Sequence, residues 1–171
     1  MSFKAKILPD LFADMMLQVQ IDCNSFLDSI QKPFFNHDTL LKFMNEMLEA
    51  DNASVDKFPV IYLRPDFVEN YKTDDIRVLY TANIELYIIH HTSADYAVSQ
   101  RYEQVFKPVL IPIYESLINR IQHYRGWKCD LTHSKQDLLY SGVNNTNFAN
   151  DYIDAIHITN LNLGVFKTNC I

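Results

Sequence analysis

Apolar residues recur at intervals of three and four near the N-terminus, which predicts two amphipathic helices. Pro9 stands at the opening position of the first helix, whose apolar stripe is Leu11, Phe12, Met15, Met16 and Val19. Asp38 is the predicted N-cap of the second helix, whose stripe is Leu40, Leu41, Met44, Met47 and Leu48. We expect these methionines to fill gaps in the core, the commonest use of Met, and not to form a binding groove.

A short apolar run follows the predicted helices. The segment Phe58 to Leu63 (FPVIYL) is typical of a buried strand, with Pro59 confined to the opening residue or to an edge because it lacks a backbone donor. The next residues, through Asp74-Asp75, are polar and acidic. They predict a long loop, in which this acidic pair is solvated.

The segment Ile76 to His91 alternates apolar residues with period two, which predicts one strand. About 3.3 Å per residue gives it a length of roughly 50 Å, so we expect it to protrude beyond its own sheet. The opposite face is half apolar because it carries Leu79, Tyr87 and Ile89. One explanation for these apolar residues is that a neighbouring subunit covers them. A hairpin turning near Thr81 to Asn83, or a sheet covered by the chain's own helices, is the alternative.

A long helical stripe begins after Ser93, the predicted cap. Its apolar members are Val98, Tyr102, Val105, Phe106, Val109, Ile113, Leu117 and Ile121. Pro108 and Pro112 each remove a backbone donor, so we expect the helix to kink or split into two packed pieces.

The C-terminal part predicts two further strands. Trp127 to Leu131 is the first of them, and the Asn-rich segment 144–147 is a predicted loop. In the final strand, Tyr152 to Phe166, the apolar phase changes near Thr159-Asn160, which predicts a β-bulge. The 171 residues therefore predict a single α+β domain over residues 1–171. Its sheet is mostly antiparallel or mixed, has one long strand and packs against helices.

Charge and cysteine usage exclude several classes of protein. The chain has 15 Lys and Arg residues and 21 Asp and Glu residues, which gives a net charge of -6. No stripe of basic residues is present that could follow a phosphate backbone, which argues against direct nucleic-acid binding. Cys23, Cys129 and Cys170 form no CxxC pair, so a reducing compartment fits best. We expect neither a signal peptide nor a membrane span, because the apolar runs are too short.

The sequence offers no pattern for catalysis, metal binding or a cofactor. Its three glycines are too few for a phosphate-binding loop or a dinucleotide fingerprint. His90 and His91 are adjacent on a strand and point to opposite faces. His123, Cys129 and His133 have intervals that suit no common zinc site and lack a fourth ligand. We therefore predict no catalytic residue, no metal, no cofactor and no enzymatic activity.

The element order resembles that of a family of virion proteins. A helix pair is followed by FPVIYL, a long loop, IRVLYTANIELYII and the helix SADYAVSQRYEQVFKPVLIPIYESLINRI. Over residues 7–166 this order is similar to that of the tail terminator and tail-completion proteins of tailed bacteriophages. The resemblance implies a non-enzymatic subunit of a hexameric ring at the head-tail junction, assembled in the host cytoplasm into the virion. It also implies other tail or neck proteins as partners, and DNA passing through the channel without specific binding.

The partly apolar second face of the long strand supplies a hypothesis for the ring contact. We expect Leu79, Tyr87 and Ile89 to lie in a homo-oligomer interface, because head-to-tail contacts between copies close into rings. A neck or adaptor connector is an alternative of the same class. Two further alternatives are a monomeric interaction domain and a small ligand-binding or hydrolytic domain. The site of that last alternative would be assembled from His90, Tyr102, His123 and Asp151.

Overall fold

The computed structural model of the chain describes residues 7–23, 33–38, 42, 58–72, 74–130, 132–139 and 152–167. Its helices are α1 (Leu8–Cys23), α2 (Val98–Arg101), a π-helical segment (Tyr102–Leu110) and α3 (Ile111–His123). Its strands are β1 (Phe34–Asn36), β2 (Val60–Leu63), β3 (Glu69–Tyr71), β4 (Val78–His91), β5 (Trp127–Asp130), β6 (Ser134–Leu138) and β7 (Ile153–Phe166). The second predicted helix, apart from Asp38 and Lys42, and the predicted loop 144–147 lie outside the described residues.

In the described residues seven strands form one mixed sheet with the order β1-β2-β4-β7-β5, in which β3 also pairs with β4 and β6 with β7. β1 runs parallel to β2, whereas the pairs β2–β4, β3–β4, β4–β7, β5–β7 and β6–β7 are antiparallel. The main core lies between the helices and one face of this sheet. We call this the helix face and the opposite one the outer face. The predicted α+β class is confirmed.

Helix α1 buries one stripe against the sheet and α3. The predicted stripe is confirmed, and its buried side chains are Leu8, Leu11, Phe12, Met15, Met16, Val19 and Cys23. Each of the larger ones contributes about 1.5–3 kcal/mol by leaving water. Phe12 stacks on Trp127 with ring centroids 4.9 Å apart. At the other end of the helix, Arg120 Nη2 donates to Asp22 Oδ1 at 2.6 Å, which ties α1 to α3.

The long helix does not split at its prolines. The chain stays helical from Val98 to His123, and the hydrogen bonding changes to the π pattern between α2 and α3. The N–H of Ile111 donates to the carbonyl of Phe106, five residues back. The wider π turn alters which carbonyls are bonded, so the chain stays helical past Pro108 instead of breaking. The helix also begins later than Ser93, and Val98 is exposed and not part of the buried stripe.

The strand predicted from FPVIYL begins at Val60 and is buried throughout. Pro59 precedes it and follows a cis peptide bond. Strand β2 is internal because β1 lies on one side and β4 on the other. The pattern did not predict β1, β3 or β6, which are three to five residues long. Such short strands hold too few residues for alternation to be recognised.

The long strand is confirmed as β4, an unbroken run of 14 residues. The hairpin alternative is therefore wrong. The expected protrusion is wrong too, because β7 is also 14 residues long and pairs with β4 from Val78–Phe166 to His91–Ile153. The two strands form a ribbon about 45 Å long at the centre of the sheet.

The predicted bulge in the final strand is confirmed. Between the pairs Ile84–Leu161 and Leu86–Ile158, β4 contributes Glu85 alone, whereas β7 contributes Thr159 and Asn160. Asn160 adopts the left-handed conformation with φ 59°, which Asn tolerates better than most residues. The bulge keeps the apolar side chains of both halves of β7 on the helix face.

Candidate interaction surface

The outer face of the ribbon is apolar at one end and polar at the other. Alternate residues of β4 point to it, and the ladder places a β7 residue beside each. The pairs are Ile89–Ala155, Tyr87–His157, Asn83–Asn162 and Thr81–Gly164. Strand β5 extends the polar end with Lys128 and Asp130, which are exposed. The half-apolar character predicted for this face is therefore confined to one end.

That apolar end is covered within the chain. Ile89 is only 3% exposed and belongs to a second core cluster, made of Phe58, Val60, Tyr62, Ile89, Ile153 and Ala155. The expectation that Ile89 needs a neighbouring subunit for shelter is therefore wrong. The alternation identified the face of Ile89 correctly, but it contained no information about the residues packed against that face.

Tyr87 and Leu79 are half-buried. The Tyr87 ring stacks on His157 with centroids 4.2 Å apart and planes at 7°, and burial raises the pKa of its hydroxyl. Leu79 sits where the β4–β7 register shifts between Val78 and Tyr80, as the additional residue of a second bulge. For these two residues the interface hypothesis stays a prediction.

A polar recess lies in the middle of the outer face, next to the bulge of β7. Arg64 Nη1 donates to Glu85 Oε2 at 3.0 Å, and Arg64 Nε donates to Asp66 Oδ2 at 3.3 Å. His157 Nε2 lies 3.5 Å from the same Glu85 oxygen. A cavity of about 200 Å³ adjoins these groups. Arg64 forms an ion pair with both carboxylates, Asp66 and Glu85. Neither carboxylate is therefore free of a positive partner, as a general base would be.

The connection between β2 and β4, residues 64–77, is the most exposed apolar part of this region. It was predicted as a polar loop, but it contains β3, which pairs with Tyr80 to Ala82 of β4. Val68, Tyr71 and Ile76 are 69%, 63% and 86% exposed. The ring of Tyr71 lies 5.4 Å from that of Tyr80, and its hydroxyl donates to Glu69 at 2.9 Å.

These three residues are the interaction candidates that the pattern missed. Val68 and Tyr71 have charged neighbours and lie in a segment that was interpreted as a solvated loop, whereas Ile76 was placed at the start of the predicted long strand, on its apolar face. No signal in the sequence singles them out, because apolar side chains exposed singly are ordinary on protein surfaces. We call Val68, Tyr71 and Ile76 the connection patch.

A buried ion pair lies at the opposite end of the ribbon. Arg101 Nη1 donates to Asp154 Oδ1 at 3.0 Å, with the two side chains 8% and 0% exposed. Arg101 Nε also donates to the carbonyl of Tyr96 at 3.2 Å. Asp154 pairs across the ladder with His90, and burial lowers the pKa of His90 to about 3. These groups connect the start of the long helix to the sheet.

The three side chains weighed for zinc make separate contacts. His123 Nδ1 lies 2.8 Å from the carbonyl of Asn119, and His133 Nε2 lies 2.7 Å from the hydroxyl of Tyr114. Cys129 is half-buried on β5, and burial raises the pKa of its thiol. Within the described ranges, no group of three or more His, Cys, Asp or Glu side chains could hold a metal ion.

The alternative hydrolytic site is not assembled from the residues described. Tyr102 and His123 stand at opposite ends of the long helix, which at 1.5 Å per residue places them roughly 30 Å apart. The Tyr102 hydroxyl donates to Asp137 at 3.3 Å, and His90 is only 4% exposed. Asp151 lies outside the described residues.

Comparison of the sequence and the fold with protein-family models, curated proteins and solved structures gave no match. The helices described here include none with the length and apolarity required to span a bilayer. Function therefore has to be inferred from the surface of the molecule.

Proposed function

We propose that this chain is a non-enzymatic structural protein that works as one subunit of a homo-oligomeric ring. The role that fits best is that of a tail terminator or tail-completion protein at the head-tail junction of a tailed bacteriophage. The observation that carries the proposal is the connection patch, in which three bulky apolar side chains are each more than 60% exposed.

The size of the patch supports association. With whole side chains of about 150–220 Å², the three exposed fractions sum to on the order of 400 Å². A partner that covered all three side chains would obtain from them about half of the roughly 800 Å² that each side contributes to a stable interface. Apolar residues at the centre of an interface with charged residues around them are the usual arrangement. Charged residues of both signs, Glu69, Lys72, Asp74, Asp75 and Arg77, flank Tyr71 and Ile76 in the sequence.

The net charge of -6 suits a ring through which DNA passes. Acidic subunits around a channel repel a polyanion and keep it from adhering to the wall. We propose that the chain assembles in the host cytoplasm and resides in the tail or neck of the virion, in contact with other tail or neck proteins. A neck or adaptor connector would use the same surfaces and differ in ring number.

Negative-stain electron microscopy of the purified protein tests this function. We expect closed rings with a central opening, and addition of purified tail tubes is expected to place a ring at one tube end. A connector of the neck would form rings that do not cap tubes. Particles no larger than one 20.0 kDa subunit at every concentration would overturn the proposal.

A further inference from the structure

The outer face carries a groove of about 440 Å³ at its polar end. Lys72 and Asp75 of the connection line one wall, and Lys128 and Asp130 of β5 line the other. Strands β4 and β7 form the floor between these walls. The volume lies in the range of roughly 300–1,000 Å³ that is usual for small-molecule sites. The groove therefore has room for a small molecule.

Hydrogen bonds fix the connection wall to the sheet. Asp75 Oδ1 accepts the backbone N–H of Val78 at 2.9 Å, and this bond lowers the pKa of the Asp75 carboxyl. The backbone N–H of Lys72 donates to the carbonyl of Leu79 at 2.9 Å. Lys167 Nζ donates to the carbonyl of Asp75 at 2.5 Å. The groove is therefore formed by the fold itself and does not need a ligand to shape it.

Gly164 lies on the floor of the groove, paired with Thr81 on one side and with Lys128 on the other. Its φ is not positive, and a Cβ at this position would meet Val78 Cγ1 at 3.5 Å and the carbonyl of Lys128 at 3.7 Å, both ordinary contacts. Neither the backbone nor the packing therefore requires glycine here. A glycine inside a strand weakens the strand, and it often marks a place where a ligand approaches the backbone closely. The missing side chain deepens the groove at this point.

Each wall carries one positive and one negative side chain. Lys72 and Asp75 stand on the connection wall, and Lys128 and Asp130 stand on the β5 wall, so the charges that line the groove sum to zero. A phosphate ion would meet a carboxylate on either wall, and an ammonium ion would meet a lysine on either wall. A neutral ligand avoids both repulsions.

The uncharged groups of the groove can both donate and accept hydrogen bonds. The Thr81 hydroxyl and the Asn162 amide each provide a donor and an acceptor, and the methyl groups of Val78 lie beside Gly164. A saccharide matches this lining, because its hydroxyls donate and accept while the faces of its ring present C–H groups. We infer that the groove binds a neutral saccharide, with one sugar ring over Gly164 and its hydroxyls directed to Thr81, Asn162 and the walls. This function is additional to the proposed ring and does not depend on it.

Saturation-transfer difference NMR of the purified protein tests the inference. The probes are glucose, galactose, mannose and N-acetylglucosamine, each also as its methyl glycoside, at up to about 20 mM so that millimolar affinities are detected. We expect at least one of them to bind, and we expect neither inorganic phosphate nor methylammonium at the same concentration to displace it. Binding of the glycoside as well identifies the end of a sugar chain as the ligand, whereas binding of the free sugar alone identifies a monosaccharide, and both results support the inference. No transfer to any of these sugars, or displacement by either ion, would overturn it.

Two variants locate the bound sugar. In Gly164→Ala the added methyl group makes only ordinary contacts, so the melting temperature is expected to equal or exceed that of the wild type. The methyl group takes up space on the floor, and we expect it to weaken sugar binding about tenfold. Lys128→Met removes a donor from one wall and is expected to weaken binding about threefold to tenfold.

The matched control is Lys107→Met, the same substitution at an exposed lysine of the long helix, which is expected to bind the sugar like the wild type. A loss of affinity in Gly164→Ala or Lys128→Met, with the control unchanged, supports the inference. If both groove variants bind as tightly as the wild type, the sugar binds elsewhere and the inference is wrong. The oligomeric state of the protein does not enter this test, so the ring proposal stands or fails separately.

Discussion

The buried pair Arg101–Asp154 offers the sharpest prediction about stability. Both side chains are nearly inaccessible to water, 8% and 0% exposed, and the Nη1 to Oδ1 distance is 3.0 Å. Arg101→Met keeps most of the aliphatic volume but removes the guanidinium that compensates the buried carboxylate. Breaking one side of such a pair costs about 3–5 kcal/mol. For a domain of this size, the melting temperature is expected to fall by roughly 6–20 °C.

Urea unfolding followed by circular dichroism measures this cost, because the midpoint shifts with stability while the slope stays constant. The double variant Arg101→Met with Asp154→Leu removes both charges, so we expect it to recover most of the loss. Lys107→Met is the control, since Lys107 forms an exposed pair with Glu103 and such pairs contribute less than about 1 kcal/mol. If Arg101→Met costs no more than this control, the pair is not buried as described.

Three further predictions concern single residues. Burial raises the pKa of the Cys23 thiol to about 11, so at pH 8 about one molecule in a thousand carries the reactive thiolate. We therefore expect iodoacetamide to label Cys23 only after unfolding, as measured by peptide mass spectrometry. His90 has a pKa of about 3, below its ordinary 6.5, so unfolded chains bind its proton first and stability falls as the pH drops below about 6.5. His90→Gln is expected to lessen the loss of unfolding free energy between pH 8 and 5 by on the order of 2 kcal/mol, and equal losses in both proteins would contradict this. Asn160→Gly is expected to keep the wild-type urea midpoint, whereas Asn160→Val is expected to cost about 1–2 kcal/mol because a branched side chain is strained at positive φ; equal midpoints for the two variants would refute the bulge geometry.

Long periodic patterns in the sequence predicted the framework of the fold well. Helix α1, strand β4 and the bulge in β7 were identified because each buries a continuous apolar face, and burial imposes the period of the element. The change of apolar phase at Thr159-Asn160 can be read from adjacent residues alone, and one inserted residue in the strand accounts for it. Of the two outcomes predicted at Pro108, the split is wrong, because the helix passes this residue by adopting the π pattern, and the kink stays a prediction.

The exposed apolar residues were harder to predict, because the exposure of a side chain depends on residues that are remote in the sequence and pack against it. Ile89 and Ile76 are similar side chains at opposite ends of the same predicted strand, yet one is 3% and the other 86% exposed. The alternation placed both residues in one strand without showing what covers either of them, and Ile76 lies before β4, which begins at Val78. Strand β3, which carries Tyr71, has three residues and is held mainly by its pairing with β4, a non-local contact that local propensity does not encode.

The central claim is that copies of this chain associate through side chains that a single copy leaves exposed. Native mass spectrometry of the wild-type protein, over concentrations from about 1 to 50 µM that bracket typical micromolar affinities, tests it most directly. We predict one dominant closed assembly, an integer multiple of 20.0 kDa with at least three subunits, which dissociates on dilution without a ladder of open oligomers. A single species at the subunit mass across the whole range would contradict the account.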